Sequence, residues 1–229
     1  MRIHEWRAQP LPENLFRGAG LVNESTMSAE PSARVGHLSA AVGDQVYVWG
    51  GEIKDFLQEK NVLASALHNF HPVLESWEHL ECSDSPPLAL YFGTCASTGG
   101  NFYMYGGNDG LDYQGCHYQL DIKSRKWQQL SSGGPMKKYG CRMVAYGKTL
   151  VVFGGYGIPS GPVQPGAQFI KNNEYTDGQG WTNELHIFDL EEGEIFVSLC
   201  VFSARYVFGS FYVNLSLWSV CRLHMQCAL

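Results

Sequence analysis

The sequence predicts an all-β protein assembled from repeated four-stranded sheets. Glycine doublets recur at Gly50-Gly51, Gly106-Gly107 and Gly154-Gly155, each closing a run of strand-forming residues. A further glycine sits thirteen or fourteen residues before each doublet, at Gly36, Gly93 and Gly140. Composition agrees: the 229 residues are 45% hydrophobic, 13% aromatic and 17% charged, with 26 glycines. That balance belongs to a folded chain of short strands and tight turns.

In each repeat the glycines bracket two apolar runs split by a polar turn: "LSAAVGDQVYVW", "TCASTGGNFYMY" and "CRMVAYGKTLVVF". Each reads as a β-hairpin. A second hairpin is expected after each doublet, and "CHYQLDIKSRKWQQL" (Cys116–Leu130) has that form. Asp121 precedes its turn, and Trp127, six residues on, opens its last strand. The first repeat has Trp77 at the tryptophan place and His71 at the aspartate place. The third has Asp189 and, six residues later, Ile195.

Four short antiparallel strands cannot bury both faces alone, whereas stacking such sheets radially hides the faces and leaves only short edges. A doublet at the end of the second strand removes side chains where a neighbouring backbone must approach. Trp77 and Trp127 are suited to fill the space between adjacent sheets.

These residues resemble the kelch repeat, the four-stranded blade of a β-propeller. The three doublets carry the resemblance, with the opening Arg34, Gly36 and His37 and the tryptophans Trp77 and Trp127. It covers residues 33–194. It implies an incomplete kelch-type propeller of about 2.5–3 blades, near 33–82, 88–131 and 137–195. A lead-in over 1–32 precedes it and a divergent hydrophobic tail over 195–229 follows.

"RVGHLSAAVGDQVYVWGG", and "VFGGYG" followed by a long insert and "GWTNELHIFDL", are similar to the group of kelch domain-containing proteins 1 and 2. Members of that group are substrate receptors of cullin-2 RING ubiquitin ligases and hold the C-terminal end of a target chain, notably Gly-Gly, in the propeller mouth. The resemblance implies a protein or peptide partner and a place among ubiquitin-ligase components. It also implies three peptide-binding candidates. Tyr156, after the third doublet, and Trp181, before "TNELHIF", match aromatics of the group's pocket; Lys138 matches a lysine near the bound carboxylate. Two aromatic walls suit a diglycine backbone and a lysine suits its terminal charge. The same residues have structural readings: strand-end packing for Tyr156, core for Trp181, a solvated loop for Lys138. The group's arginine clamp comes from a fourth blade, which this sequence does not show, and no cullin-box helix is visible. The insert Tyr156–Trp181, rich in proline and glycine, is expected to be a long loop over one face that meets partners.

The remaining observations narrow the function classes. A net charge of −6 does not suit a phosphate-backbone binder, so nucleic acid is not expected. Seven cysteines, none in a C-x-x-C pair, point to a reduced compartment, and the first residues lack an apolar signal core. A cytoplasmic or nuclear location is therefore expected. No Walker loop, G-x-S-x-G or H-E-x-x-H occurs, so no enzyme, catalytic residue or cofactor is expected. His68, His71, His79 and Cys82 have a zinc-like count, but the strand pattern is expected to make them diverge, so no metal is assigned. The alternatives to a binding module are a kelch-type copper-radical oxidase and a truncated, non-functional fragment. The tail is expected to be unrelated to the repeats, with strand material completing the sheet and a membrane span as alternatives. Arg205, near the middle of residues 195–221, makes the span unfavourable by about 2.5–3.5 kcal/mol. If the propeller is incomplete, open sheet faces favour self-association.

Overall fold

A computed structural model describes residues 30–55, 60–82, 87, 89–163, 167–174 and 178–198. The expected lead-in up to residue 29 and the tail beyond Ser198 lie outside the described residues. Among the described residues every regular element is a strand. The first repeat supplies β1 (Arg34–Val35), β2 (Leu38–Val42), β3 (Gln45–Trp49), β4 (Glu52–Asp55), β5 (Lys60–Leu63), β6 (Leu67–His71) and β7 (Ser76–Leu80). The second supplies β8 (Thr94–Thr98), β9 (Asn101–Tyr105), β10 (His117–Asp121) and β11 (Lys126–Gln129). The third supplies β12 (Met136–Tyr139), β13 (Arg142–Tyr146), β14 (Thr149–Phe153), β15 (Tyr156–Pro159), β16 (Phe169–Lys171), β17 (Gly180–Thr182), β18 (Leu185–Asp189) and β19 (Ile195–Ser198).

These strands form five sheets. Four of the five are antiparallel and four-stranded, and three of these are the ones the repeat predicts: β2-β3-β6-β7, β8-β9-β10-β11 and β13-β14-β18-β19. The other two are β1-β4-β5 and β12-β15-β17-β16. The expectation of about three blades is therefore corrected: the propeller-like fold shows five blade sheets among the described residues. The reason lies at the doublets. Gly50 and Gly51 adopt φ +70° and +90°, and Gly154 and Gly155 adopt +69° and +108°. This left-handed pair turns the chain out of one ladder, and pairing resumes beyond it as a separate sheet. In the second repeat, among the described residues, isolated bridges form there, Tyr91 to Asn108 and Asn108 to Tyr113.

The doublets also join repeats. The Gly51 N–H donates to the Leu90 carbonyl at 2.8 Å, and the Gly107 N–H donates to the Lys138 carbonyl at 2.9 Å. A Cβ on Gly50 would lie 2.7 Å from the Leu90 carbonyl oxygen, and one on Gly106 would run into that of Lys138. The missing side chains thus make room for the backbone that enters the next repeat.

Apolar packing lies between sheets. Leu38, Trp49, Leu67, Phe102, Leu120 and Trp127 join the first four-stranded sheet to the second. Tyr103, Tyr105, Met143, Leu150, Val152 and Phe188 join the second to the third. Trp127 fills its expected place, its ring 4.9 Å from that of Trp49. Trp77 differs: it is half-buried and lies 4.9 Å from Phe70 on the neighbouring strand of its own sheet. Side chains tie the three repeat sheets near their first strands: Cys95 Sγ donates to the Ser39 carbonyl at 3.2 Å, Thr98 Oγ1 to that of Gly147, in the turn after β13, at 3.3 Å, and Ser97 Oγ to that of Ala41.

The aspartate place is a turn-closing acceptor. Asp121 Oδ1 accepts the Ser124 N–H at 2.8 Å, and Asp189 Oδ1 accepts those of Glu191 and Glu192 at 2.8 and 3.1 Å. In the first repeat His71 Nδ1 accepts the Leu74 N–H at 3.3 Å, so histidine fills the aspartate's role. The residue ending each turn is left-handed: Glu75 at φ +51°, Arg125 at +56° and Gly193 at +70°. Glycine at the third site shows what the others forgo. Glu75→Gly is expected to raise stability by roughly 0.5 kcal/mol in urea unfolding, the relief of the left-handed backbone exceeding the added chain entropy of glycine.

Two expectations about the third repeat change. Ile195–Ser198, assigned to the tail, pairs with β18 and completes the four-stranded sheet. The insert is not a loop, because three of its segments build a sheet with β12. Gly157 faces Gly180 across this sheet, and a Cβ on either would run into backbone carbonyls. Its glycines are therefore packing positions as well as turn formers.

Candidate binding mouth

Segments of the second and third repeats gather aromatic rings on one side of the fold. Tyr156 opens β15, opposite Tyr139 on one side and Trp181 on the other. Its ring lies 5.7 Å from Tyr139 and 5.1 Å from Trp181, both edge-on. Tyr113 lies 5.3 Å from Tyr139 and 6.4 Å from Tyr156. Phe92 lies 6.4 Å from Tyr139 and 5.4 Å from Tyr91. These separations and tilts are those favoured by aromatic pairs. Hydroxyls fix the rings: Tyr113 donates to Gln179 Oε1 at 2.7 Å, and Tyr156 accepts from Asn172 Nδ2 at 3.2 Å. All six rings keep part of their surface in solvent.

Two of the three candidates therefore meet, and the third does not join them. Alternation along β12 puts Met136 and Lys138 inside and Lys137 and Tyr139 on the other face. Lys138 is 0% exposed, and its Nζ donates to Glu184 Oε1 at 3.0 Å. The solvated-loop reading of Lys138 is corrected on the same ground. Its neighbour Lys137 is exposed and pairs with Asp112 at 2.9 Å.

Beneath the mouth lies a buried polar chain that the sequence did not reveal. Glu184 Oε1 stands 3.5 Å from His186 Nδ1, and His186 Nε2 stands 3.4 Å from His117 Nε2. His117 Nδ1 stands 3.1 Å from Ser131 Oγ, which also accepts the His117 backbone N–H at 2.9 Å. One set of tautomers suits this chain. His186 carries its proton on Nδ1, toward the carboxylate, and accepts at Nε2. His117 carries its proton on Nε2 and accepts at Nδ1 from the serine hydroxyl. Both rings are 0% exposed, so each is neutral. Burial lowers the His186 pKa to about 4 despite Glu184. Burial, His186 and Lys138 lower that of His117 to about 2. Burial pushes the Glu184 carboxyl up, but His186 and Lys138 outweigh it and hold it below its ordinary value. Tyr105 packs against both imidazoles, at 4.5 and 4.7 Å, and its hydroxyl donates to the Met136 carbonyl at 2.5 Å. The chain thus links β10 of the second repeat to β12 and β18 of the third.

The other candidates resolve simply. His68 and His79 are cross-strand partners with rings 5.3 Å apart, while His71 closes its turn. Among the described residues no three His, Cys, Asp or Glu side chains gather as a metal-binding group. Cys82, Cys95, Cys116 and Cys141 are free thiols, and burial pushes the Cys95 thiol up to about 12. No helix of the described residues is long and apolar enough to cross a membrane.

Repeated glycine-doublet sheets of a propeller-like fold define a kelch-type repeat protein. Residues 26–201 match the KLHDC2/KLHL20/DRC7 Kelch-repeats domain, and the chain belongs to that family. It is 25% identical to Kelch domain-containing protein 2 of Rattus norvegicus over 205 residues, 81% of this chain and 48% of that protein. It is 25% identical to Kelch domain-containing protein 1 of Homo sapiens over 179 residues, 72% of this chain and 43% of that protein. The chain thus spans about half the length of the curated relatives it matches. Among solved structures, one titled "Structure of YjhT" has the same fold, with a TM-score of 0.53 at 16% identity, over 72% of this chain and 51% of that one.

Proposed function

We propose that the mouth holds the end of a protein partner's chain, and that the protein is the substrate-recognition part of a cullin-RING ubiquitin ligase. The aromatic group around Tyr156 carries this reading. Tyr139, Tyr156 and Trp181 sit side by side on the β12-β15-β17-β16 sheet, partly exposed, and Asn172 holds the Tyr156 hydroxyl. Such rigid faces suit a narrow backbone without side chains, as in a terminal Gly-Gly. Homology to Kelch domain-containing proteins 1 and 2 supports the same class of partner. In this reading Lys138 positions the site, since its pair with Glu184 secures β12, whose next residue is Tyr139. The chain acts by binding, and no chemical step is assigned to it.

The test is a pull-down with immobilised peptides ending in a free Gly-Gly carboxylate, beside the same peptides amidated. The free ends are expected to retain the protein, and Trp181→Ala is expected to reduce retention about tenfold or more, the effect of losing a central aromatic anchor. Equal retention by free and amidated ends would rule out recognition of the chain end.

A further inference from the structure

We infer that Phe92 is a ligand-contacting, specificity-determining residue of the mouth, an assignment that rests on the chain-end reading above. Three equivalent positions meet where the repeats begin. Phe92 donates its backbone N–H to the Gly36 carbonyl at 2.7 Å, and Gly140 donates its own to the Phe92 carbonyl at 2.8 Å. All three are left-handed: Gly36 at φ +69°, Phe92 at +56° and Gly140 at +66°. Each stands fourteen residues before the first glycine of its doublet. Two of the three repeats use glycine there, as the backbone requires. The second uses phenylalanine, with Gly93 standing one residue late.

A bulky side chain in the left-handed region is a backbone outlier. Such outliers persist where the surroundings enforce them, and they gather at binding sites. The turn residues Glu75 and Arg125 share the conformation but are polar and lie at exposed hairpin ends. Phe92 is different in kind. Its ring is 40% exposed, too open to be a core residue. It lies over Gly36, where a Cβ would come 3.2 Å from Phe92 Cδ1, and beside Tyr91 and Tyr139. It thus carries an apolar face from the first repeat to the aromatic group of the third. Folding at this position is served by glycine, and the ring adds a wall to the mouth. An apolar or small residue shortly before the partner's terminus is the chemistry it would meet.

The experiment compares the full chain with its Phe92→Gly, Phe92→Asn and Phe92→Tyr variants, by melting temperature and by affinity for a fluorescent peptide ending in Gly-Gly. Glycine and asparagine both accept the left-handed backbone, so at least one variant is expected to fold, with a melting temperature within about 4 °C of the parent, a shift of about 1 kcal/mol or less. Affinity is expected to fall about tenfold or more in Gly and Asn and to return in Tyr. Parental affinity in a folded Gly or Asn variant would overturn the assignment, as would collapse of both folds, which would make the ring a structural element. If the parent binds no such peptide, the chain-end reading fails and the assignment falls with it. If the parent binds and the variants bind equally, the assignment alone fails.

Discussion

Lys138→Ala is expected to destabilise the protein by about 3–5 kcal/mol, the usual effect of removing one partner of a buried ion pair. The side chain is wholly buried, and Glu184, 8% exposed, would be left charged beside a neutral histidine. The effect has a second route, since the Lys138 backbone joins two repeats: its carbonyl accepts from Gly107 and its N–H donates to Gln114 at 3.1 Å. Any shift of β12 to hydrate Glu184 strains those bonds. Replacing both partners is expected to cost far less. Lys138→Met with Glu184→Met removes both charges, and such exchanges are often nearly neutral. The fold offers a precedent: Leu90, 2% exposed, fills at the first junction the place that Lys138 fills at the second. Urea unfolding of the two single variants and the double variant checks this. Additive losses in the double variant would mean that the pair is not coupled.

The protein is expected to lose about 3–5 kcal/mol of stability between pH 6.5 and pH 4.5 through His117 and His186 alone. Both are neutral in the fold, with pKa values lowered to about 2 and about 4 by burial first of all. In the unfolded chain both titrate near 6.5. Below that pH the unfolded state binds protons that the folded state refuses, so stability falls as pH falls. Each imidazole contributes up to about 1.4 kcal/mol per pH unit until its folded pKa is reached. Carboxylates lowered in the fold, Glu184 and Asp112 among them, add to the loss only further down, near their own titration range. The window from 6.5 to 4.5 therefore isolates histidine. Urea midpoints measured across it check the expectation, with His117→Gln/His186→Gln as the control. Glutamine can donate and accept but does not titrate, so a folded double variant is expected to show a much flatter profile.

Much of the fold was legible because glycine spacing is a backbone signal. A doublet announces that no Cβ fits, and the contacts at Gly50 and Gly106 with the next repeat bear that out. The aspartate places and that of Trp127 were readable for the same reason, since they are fixed by the turn and by the gap between sheets, whereas Trp77 packs on Phe70 within its own sheet. The sheet count was not legible, because pairing beyond the doublets involves segments as short as Arg34–Val35 that carry no periodicity of their own. The insert misled through its composition. Proline and glycine suggested a loop, whereas Gly157 and Gly180 face each other inside a sheet. Tyr156 and Trp181 were linked in advance only by the resemblance to the group's pocket, and the pairing of β15 with β17 sets them opposite each other. Lys138 could not be placed, since strand alternation alone decides which of two adjacent lysines is buried. The histidine chain was invisible for a similar reason: His117 and His186 stand 69 residues apart and meet only through packing of two sheets. The signal for Phe92 was present, in the count of thirteen rather than fourteen residues from Gly93 to its doublet.

The most direct test of the mouth as the binding site is photo-crosslinking with a peptide that ends in Gly-Gly and carries a diazirine two residues before its terminus, mapped by mass spectrometry. Labels are expected on the segments holding Phe92, Tyr139, Tyr156 and Trp181, and an excess of unlabelled peptide is expected to remove them. Competable labelling confined to other surfaces, such as the half-buried face around Trp77 and Phe70, would contradict the account.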